Sequence, residues 1–457
     1  MTVAAHDEVL EALDGFSGAL YRPGDDGYED ARRVFNGMID RQPAVIAQCR
    51  GTADVVAAVN AARDSGLEIA VRGGGHGVAG HAVCEGGMMI DLSEMRGVHV
   101  DPASRTARVE PGVTWAELNR EAQLHGLAVT GGTVSTTGVA GLTLGGGFGW
   151  LMSKHGLTAD NLLSAEVVTA ASNVVTASAR EHTDLYWALR GGGGNFGVVT
   201  SFEFQMHAIG PTITGGLIAH PIDAAGDLAR FYRDYTADLS DDLGVLYGLV
   251  HAPDGSGMKL AALVVCHVGS HEQAQRELAP ALEFGEPAMA QVGPMPYPAM
   301  NQLLDGAYPK GSLNYWKSSF LESLSDRVID TAVTQFLSCP STTTAIALEH
   351  FSGAATRVPV EATACPHRLP GYNLLITSVW SDPSTSDANI AWTRDTMKAL
   401  APDLESRSYV NYMSEDDGGD RRTRDAFGPN HERLLSIKRT YDPDNVFHLN
   451  QNIATEA

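Results

Sequence analysis

The sequence predicts an α+β protein of two domains, and three observations carry that prediction. Helical and extended patterns alternate from residue 52 onward, three glycine-rich loops fall between residues 73 and 197, and the texture changes near residue 207. From there the chain reads as longer strands such as GVLYGLV and KLAALVVCHV, with helices such as SDRVIDTAVTQFL between them. A length of 457 residues leaves room for two or three domains at roughly 150 residues each. The boundaries that follow are 1–206, 207–408, and a segment 409–457 whose motif-like end returns to the first domain.

Each element has a local reason. In TADVVAAVNAARDS the apolar Val55, Val56, Val59 and Ala62 recur at helical spacing, Thr52 is the expected N-cap, and Gly66 ends the helix. LEIAVR then reads as a strand running into VRGGGHGVAGH, the first glycine loop, and MMIDL reads as another strand. VHVDPASRTARVEPG gives a strand pair with DPAS as the turn, and WAELNREAQLHG is an amphipathic helix closed by Gly126. The second loop, GGTVSTTGVAGLTLGGGFGW, carries eight glycines, and the third, LRGGGGNFGVVTSFEF, opens into a strand.

Bulk properties narrow the function. Hydrophobic content of 44% with 19% charged residues is that of a globular chain. A net charge of −23 argues against nucleic-acid binding, because neutralising phosphates needs a basic surface. Five scattered cysteines without a CxxC pair favour neither a disulfide framework nor structural zinc, and no metal is expected. The start, MTVAAHDEVLEALDGF, lacks the apolar core of a signal peptide, and no window approaches the ~18 apolar residues of a membrane span. A cytoplasmic protein with no membrane partner is the expectation.

The loops themselves exclude several chemistries. None ends in GK[ST], and neither GxGxxG (Gly75-Gly77-Gly80 or Gly192-Gly194-Gly197) opens a convincing helix, so P-loop and Rossmann readings are poorly supported. GxSxG and HExxH are absent. What remains is a dinucleotide cradled by the backbone N–H groups of several loops. His76 among Gly73, Gly74, Gly75 and Gly77 is then either a capping histidine or a nucleophile able to tether a flavin.

These runs, with DLYWALRGGGGNFGVVTSFEF, NYWKSSF and the terminal YDPDNVFHLNQNI, closely resemble the FAD-linked oxidases of the vanillyl-alcohol-oxidase superfamily, in its berberine-bridge-enzyme-like branch. The resemblance implies a two-lobed FAD-binding domain and an α/β substrate domain with an antiparallel sheet over the flavin. It implies covalent attachment of FAD through His76. It also implies contacts from Val71, Arg72, Gly73, Gly74, Gly75 and Gly77, from Gly112, and from Gly132, Thr133, Thr136, Thr137, Gly138, Gly141, Gly145 and Gly146. Asn161, Val198 and the terminal Asn450 and Asn452 complete that set. Many relatives add a second tether through a cysteine four residues before the glycine of GVxG; Val134 stands there, so a single tether is expected. Thr137 replaces the usual aliphatic residue and is either a tolerated loop residue or a polar group in the oxygen pocket.

The resemblance implies oxidation of a small alcohol, amine or secondary metabolite, with dioxygen as electron acceptor. A flavin-dependent oxygenase and a carbohydrate oxidase are the alternatives, and a flavin carrier is a third reading. Met289, Met295 and Met300 tilt the substrate toward aromatic metabolites, although core packing gives the same composition. Proton removal needs a base, and three segments offer one. SYVNYMSED supplies Tyr409 and Tyr412 with Asn411 and resembles the YxN motif in which a tyrosine near the flavin assists deprotonation, so Tyr409 is the favoured base. Lys317 is a candidate to lower a phenol's pKa, unless it is an exposed lysine salt-bridged elsewhere. AIALEHFSG supplies Glu349 beside His350, unless Glu349 is a satisfied strand-edge acid, and GVLYGLV supplies Tyr247, unless that ring is core.

Overall fold

The computed structural model describes residues 13, 15–417 and 419–454, so the expectation about the chain's start lies almost wholly outside the described residues. A first sheet holds β1 (Ala19–Tyr21), β2 (Val45–Gln48), β3 (Ile69–Arg72) and β4 (Met88–Asp91) in the order β1-β2-β4-β3. Strands β2 and β3 both pair parallel to β4, and helix α1 (Thr52–Asp64) buries Val55, Ala58, Val59 and Ala62 in the core they share. Gly51, not Thr52, caps α1; the Thr52 hydroxyl instead donates to Glu166 at 2.8 Å. Gly66 ends it in the left-handed conformation, φ 63°, which costs glycine little.

The chain continues through β5 (Val98–Asp101), β6 (Thr106–Val109), β7 (Leu127–Ala128), β8 (Leu162–Val168), β9 (Val174–Ser178), β10 (Val198–Gln205) and β11 (His207–Ala208). Five of these form an antiparallel sheet, β5-β6-β10-β8-β9, and β7 pairs with β11. Helix α2 (Trp115–Gln123) turns Trp115, Leu118 and Ala122 into the core behind this sheet. Burying a side chain the size of Leu118 contributes roughly 1.5–3 kcal/mol.

A seven-stranded antiparallel sheet follows: β12 (Ile213–Pro221), β13 (Leu243–His251), β14 (Lys259–His267), β15 (Met289–Met295), β16 (Leu313–Leu321), β17 (Ala345–Phe351) and β18 (Gly371–Trp380), in the order β15-β12-β14-β13-β17-β18-β16. Side chains alternate between its faces. One face, with Tyr247, Leu263, Ile346, Leu348, Leu374 and Ile376, packs in one core with α3 (Ala225–Thr236), α4 (Asp326–Leu337) and α5 (Ser386–Leu400). The other face carries Trp316, Ala347 and Leu375, which cluster with Phe35 and Val78 of the first part of the chain. Register pairs Glu349 with Asn373 and with Leu246, so these residues share the strand positions of that second face.

Residues after Tyr409 pack back against the five-stranded sheet: Tyr409, Val410, Met413, Phe427, Leu434 and Ile453 are buried in one core with Phe202 and Phe204. Lys438 fixes this return. Fully buried, its Nζ donates to Asp442, to Phe447 O (2.9 Å) and to Asn195 O (2.8 Å), tying the terminal segment to the third glycine loop.

Candidate active site

A cavity of about 300 Å³ opens where the three glycine loops meet the free face of the seven-stranded sheet. The loops approach one another closely. A Cβ on Gly74 would stand 2.5 Å from Gly138 Cα, so the first and second loops touch backbone to backbone, and only glycine permits it. The first loop is anchored from behind by Arg72, whose guanidinium donates to buried Asp91 (Nε to Oδ1 2.8 Å). Losing one partner of such a buried pair typically costs about 3–5 kcal/mol.

Of the residues expected to hold cofactor, Val71, Gly73, Gly74, Gly75, His76, Gly77, Gly132, Thr133, Thr137, Gly138, Gly141 and Asn450 line the cavity. Thr136 stands beside His76, its hydroxyl 3.5 Å from Nε2. The others do not reach the wall. Arg72 faces Asp91; Gly112 packs under Leu92 O, which a Cβ would meet at 2.2 Å; Gly145 makes room for the Asn411 side chain and Gly146 for Cys365. The Asn161 amide donates to His155 O and Leu157 O, closing its own turn, and Val198 packs into the first core while its neighbours Gly197 and Val199 line the cavity. Asn452 lies off the wall with its Oδ1 unpartnered.

His76 stacks on Phe35, ring centroids 3.9 Å apart and planes 14° from parallel. Burial lowers its pKa to about 4, so the imidazole is neutral at physiological pH and keeps a nucleophilic nitrogen. None of the five cysteines, all free and buried, lines the cavity.

The candidate bases separate by what stands behind them. Tyr409 lines the cavity, and its hydroxyl accepts from Gly147 N (3.0 Å) and Asn411 Nδ2 (2.8 Å). Burial outweighs these two donors and holds the phenol well above its ordinary pKa. Lys317 does not counter this: its Nζ is 2.6 Å from both Asp416 and Asp417, which use its charge. Tyr412, also on the wall, donates to Glu349 Oε1 at 3.0 Å. Glu349 itself sits one shell back, receiving Asn373 Nδ2 at 2.7 Å, and burial raises its pKa. Tyr247 has no part in this arrangement. It lies on the helix-covered face, its hydroxyl donating to Ala225 O at 3.0 Å, because its strand position has the opposite parity to the cavity face.

Sequence reasoning missed the apolar wall. Trp316, Tyr308 and Leu375 line the cavity, the Trp316 ring meeting Tyr308 at 5.6 Å and Tyr412 at 6.1 Å. Trp316 lay in the quoted NYWKSSF, whose patterning marks a strand but not which face is free; Phe35 and Tyr308 sit in loops with no pattern at all.

The comparisons agree with this architecture. The FAD binding domain family matches residues 43–178, and the family described as berberine and berberine like matches residues 408–454. The FAD-linked oxidoreductase YgaK of Bacillus subtilis is 30% identical over 450 residues, covering 96% of this chain and 97% of the relative. (R)-6-hydroxynicotine oxidase of Paenarthrobacter nicotinovorans is 29% identical over 457 residues, covering 96% and 97%. The crystal structure of 6-hydroxy-D-nicotine oxidase from Arthrobacter nicotinovorans superposes with a TM-score of 0.88 at 28% identity, covering 96% of this chain and 98% of that one.

The residues present fit FAD. Gly77, Gly141 and Gly194 all line the cavity, and a Cβ on any of them would meet no protein atom within 4 Å, so bare backbone faces the space where a pyrophosphate needs N–H donors. Asn450 adds a buried, unpartnered Oδ1 on the same wall, an acceptor for a ring N–H. Matching family domains at both ends, full-length relatives and a glycine-lined cradle lead to one assignment: the chain is an FAD-dependent oxidoreductase and belongs to the berberine-bridge-enzyme-like FAD-linked oxidoreductases, with the fold of the vanillyl-alcohol-oxidase superfamily.

Proposed function

We propose that the enzyme is an oxidase of a small, largely apolar aromatic alcohol or amine, with dioxygen as electron acceptor and FAD held covalently by His76. When bound, FAD supplies the two-electron acceptor for hydride from the substrate carbon. The protein supplies position and a proton acceptor. Trp316, Tyr308 and Leu375 offer an aromatic and aliphatic wall, and burial of apolar surface there favours a ring over a sugar.

The observation that carries the reading is the contact between Tyr412 and Glu349. As the substrate O–H or N–H gives its proton to the Tyr412 oxygen, Tyr412 passes its own to Glu349, so a neutral phenol acts as a base without ever ionising. Among the described residues Tyr409 has donors as partners and no acceptor behind it; its role is to orient, not to carry the proton. The relative (R)-6-hydroxynicotine oxidase, by name an oxidase of 6-hydroxynicotine, a molecule with an aromatic ring, supports the substrate class.

An anaerobic screen of sugars beside aromatic alcohols and amines tests this. Aromatic compounds should bleach the flavin, and admitting air should restore its colour with one hydrogen peroxide per turnover. Bleaching by sugars alone removes the proposed substrate class. A second reading, an oxygenase, is motivated by Thr137, whose hydroxyl-bearing side chain lines the cavity. Isotopically labelled dioxygen distinguishes the two, since only an oxygenase leaves label in the organic product.

A further inference from the structure

Glu349 is a buried acid without a counter-ion. The residue is 6% exposed, its two hydrogen-bond partners are the neutral Tyr412 and Asn373, and no cation pairs with it among the described residues. Keeping an ionised carboxylate in such surroundings is unfavourable. A group that alternates between protonated and ionised states is a better tenant, provided the proton has a way out.

A second cavity, of about 30 Å³, supplies the way. It lies between residues 149–153, a turn running into the short helix Met152–His155, and the ends of β13 and β17, with Leu246 and Ser352. Tyr412 lines only the large cavity and Glu349 only the small one, while Thr133 lines both. The carboxyl therefore stands between them. A water needs roughly 10–15 Å³ of such space and two to four polar partners. The Glu349 carboxylate and the hydroxyls of Thr133 and Ser352 are available, and Met152, Gly244 and Ser352 in its lining are only half-buried.

We propose that this small cavity is the proton outlet of the active site, holding a water that takes the proton from Glu349 and passes it to solvent. The proposal rests on the Tyr412–Glu349 reading above. The substrate O–H (or N–H) bond breaks toward the Tyr412 oxygen, the Tyr412 O–H bond breaks toward Glu349 Oε1, and the Glu349 proton leaves through the water. The electron pair left on the substrate heteroatom forms the new π bond to carbon as hydride departs to FAD. Carbon is oxidised by two electrons, FAD is reduced by two, and one proton reaches solvent in this half-reaction, with Tyr412 and Glu349 returned to their starting states. That proton is taken back from solvent when dioxygen reoxidises the flavin to give hydrogen peroxide.

The test follows proton release with a pH-indicator dye beside flavin bleaching, in anaerobic stopped flow on the FAD-loaded enzyme. In the wild type the two should coincide. Ser352→Leu, which plugs the outlet but leaves the base in place, should slow bleaching about 10-fold, less than the roughly 10²-fold or more of losing the base itself, and enlarge the solvent deuterium isotope effect. Ser352→Ala, which keeps the space and leaves the water two of its three polar partners, Glu349 and Thr133, should slow bleaching less than Ser352→Leu does. Anaerobic bleaching of the wild type with no accompanying proton release would overturn the outlet, whether or not Ser352→Leu folds. So would a Ser352→Leu enzyme with wild-type rate and isotope effect. If Tyr412→Phe and Glu349→Gln are slow in that case, the Tyr412–Glu349 reading stands alone; if both are as fast as wild type, that reading falls too.

Discussion

The ring of Phe148 lies flat on that of Tyr409, centroids 3.7 Å apart and planes 10° from parallel. With Gly147 N–H and Asn411 Nδ2 directed at its oxygen, Tyr409 is held at both ring and hydroxyl. Removing the oxygen leaves the stack but strands two donors. Tyr409→Phe should therefore keep its flavin and slow anaerobic bleaching by less than about 10-fold, whereas Tyr412→Phe and Glu349→Gln should each slow it about 10²-fold or more. Reoxidation should hardly change in any of them. A 10²-fold loss confined to Tyr409→Phe would return the base to Tyr409.

His76 is neutral, stacked and on the cavity wall, which suits a nucleophilic nitrogen. Acid-precipitated wild-type enzyme should stay yellow, and digestion should give one flavinylated peptide containing His76. His76→Ala should release its flavin quantitatively on precipitation while still binding FAD reversibly through the glycine loops. Flavin on a cysteine peptide contradicts the single tether, as does free flavin from the wild type.

Much of the first half was legible because local chemistry dictates it. Gly66 and Gly126 stop helices with positive φ, and the glycines of the first two loops meet where only bare backbone fits. The sheet face was not legible at single residues. GVLYGLV announces a strand around Tyr247, but which parity faces helices is set by α3, α4 and α5, far away in sequence. Glu349 and Tyr247 looked equally eligible in the sequence, and the pairing of β13 with β17 put them on opposite sides. Lys317 failed for a similar reason, since Asp416 and Asp417 are a hundred residues away and reach it first. Asn161 and Gly112 sit near the loops in sequence yet serve the turns that carry them.

Glycines on the wall divide into those required by the fold and those left bare toward the cavity. A Cβ at Gly74 collides with Gly138 backbone, whereas one at Gly77 meets nothing within 4 Å. Gly74→Ala should lower the unfolding temperature of the apoprotein and abolish FAD retention together. Gly77→Ala should leave apoprotein stability unchanged yet weaken FAD binding at least about 10-fold, the equivalent of 1.4 kcal/mol. Equal effects of the two on the apoprotein would mean that Gly77 serves the fold, not the cofactor.

Acid should destabilise this protein through its buried histidines, and His367 is the sharpest case. It is 2% exposed, stacks on Phe320 with centroids 4.4 Å apart, and among the described residues has the Ser408 backbone beside its ring but no side-chain partner for either nitrogen. Burial first, then the nearby Arg407 and Arg368, lowers its pKa from 6.5 to about 3. Above pH 6.5 the ring is neutral in both folded and unfolded chains, and its contribution is fully present. As pH falls below 6.5 the unfolded chain takes up a proton that the folded one refuses, so stability declines until the pH nears 3. At pH 5 this amounts to about 2 kcal/mol from the one residue. His367→Phe keeps the stack on Phe320 and removes the titrating group. Its unfolding temperature should drop less between pH 8 and pH 5 than that of the wild type, with the remaining drop shared by other histidines that burial lowers in the same direction, His76, His81, His155 and His350 among them. Identical drops in the two proteins would show that His367 finds a proton-accepting partner in the folded state and is not held neutral by its surroundings.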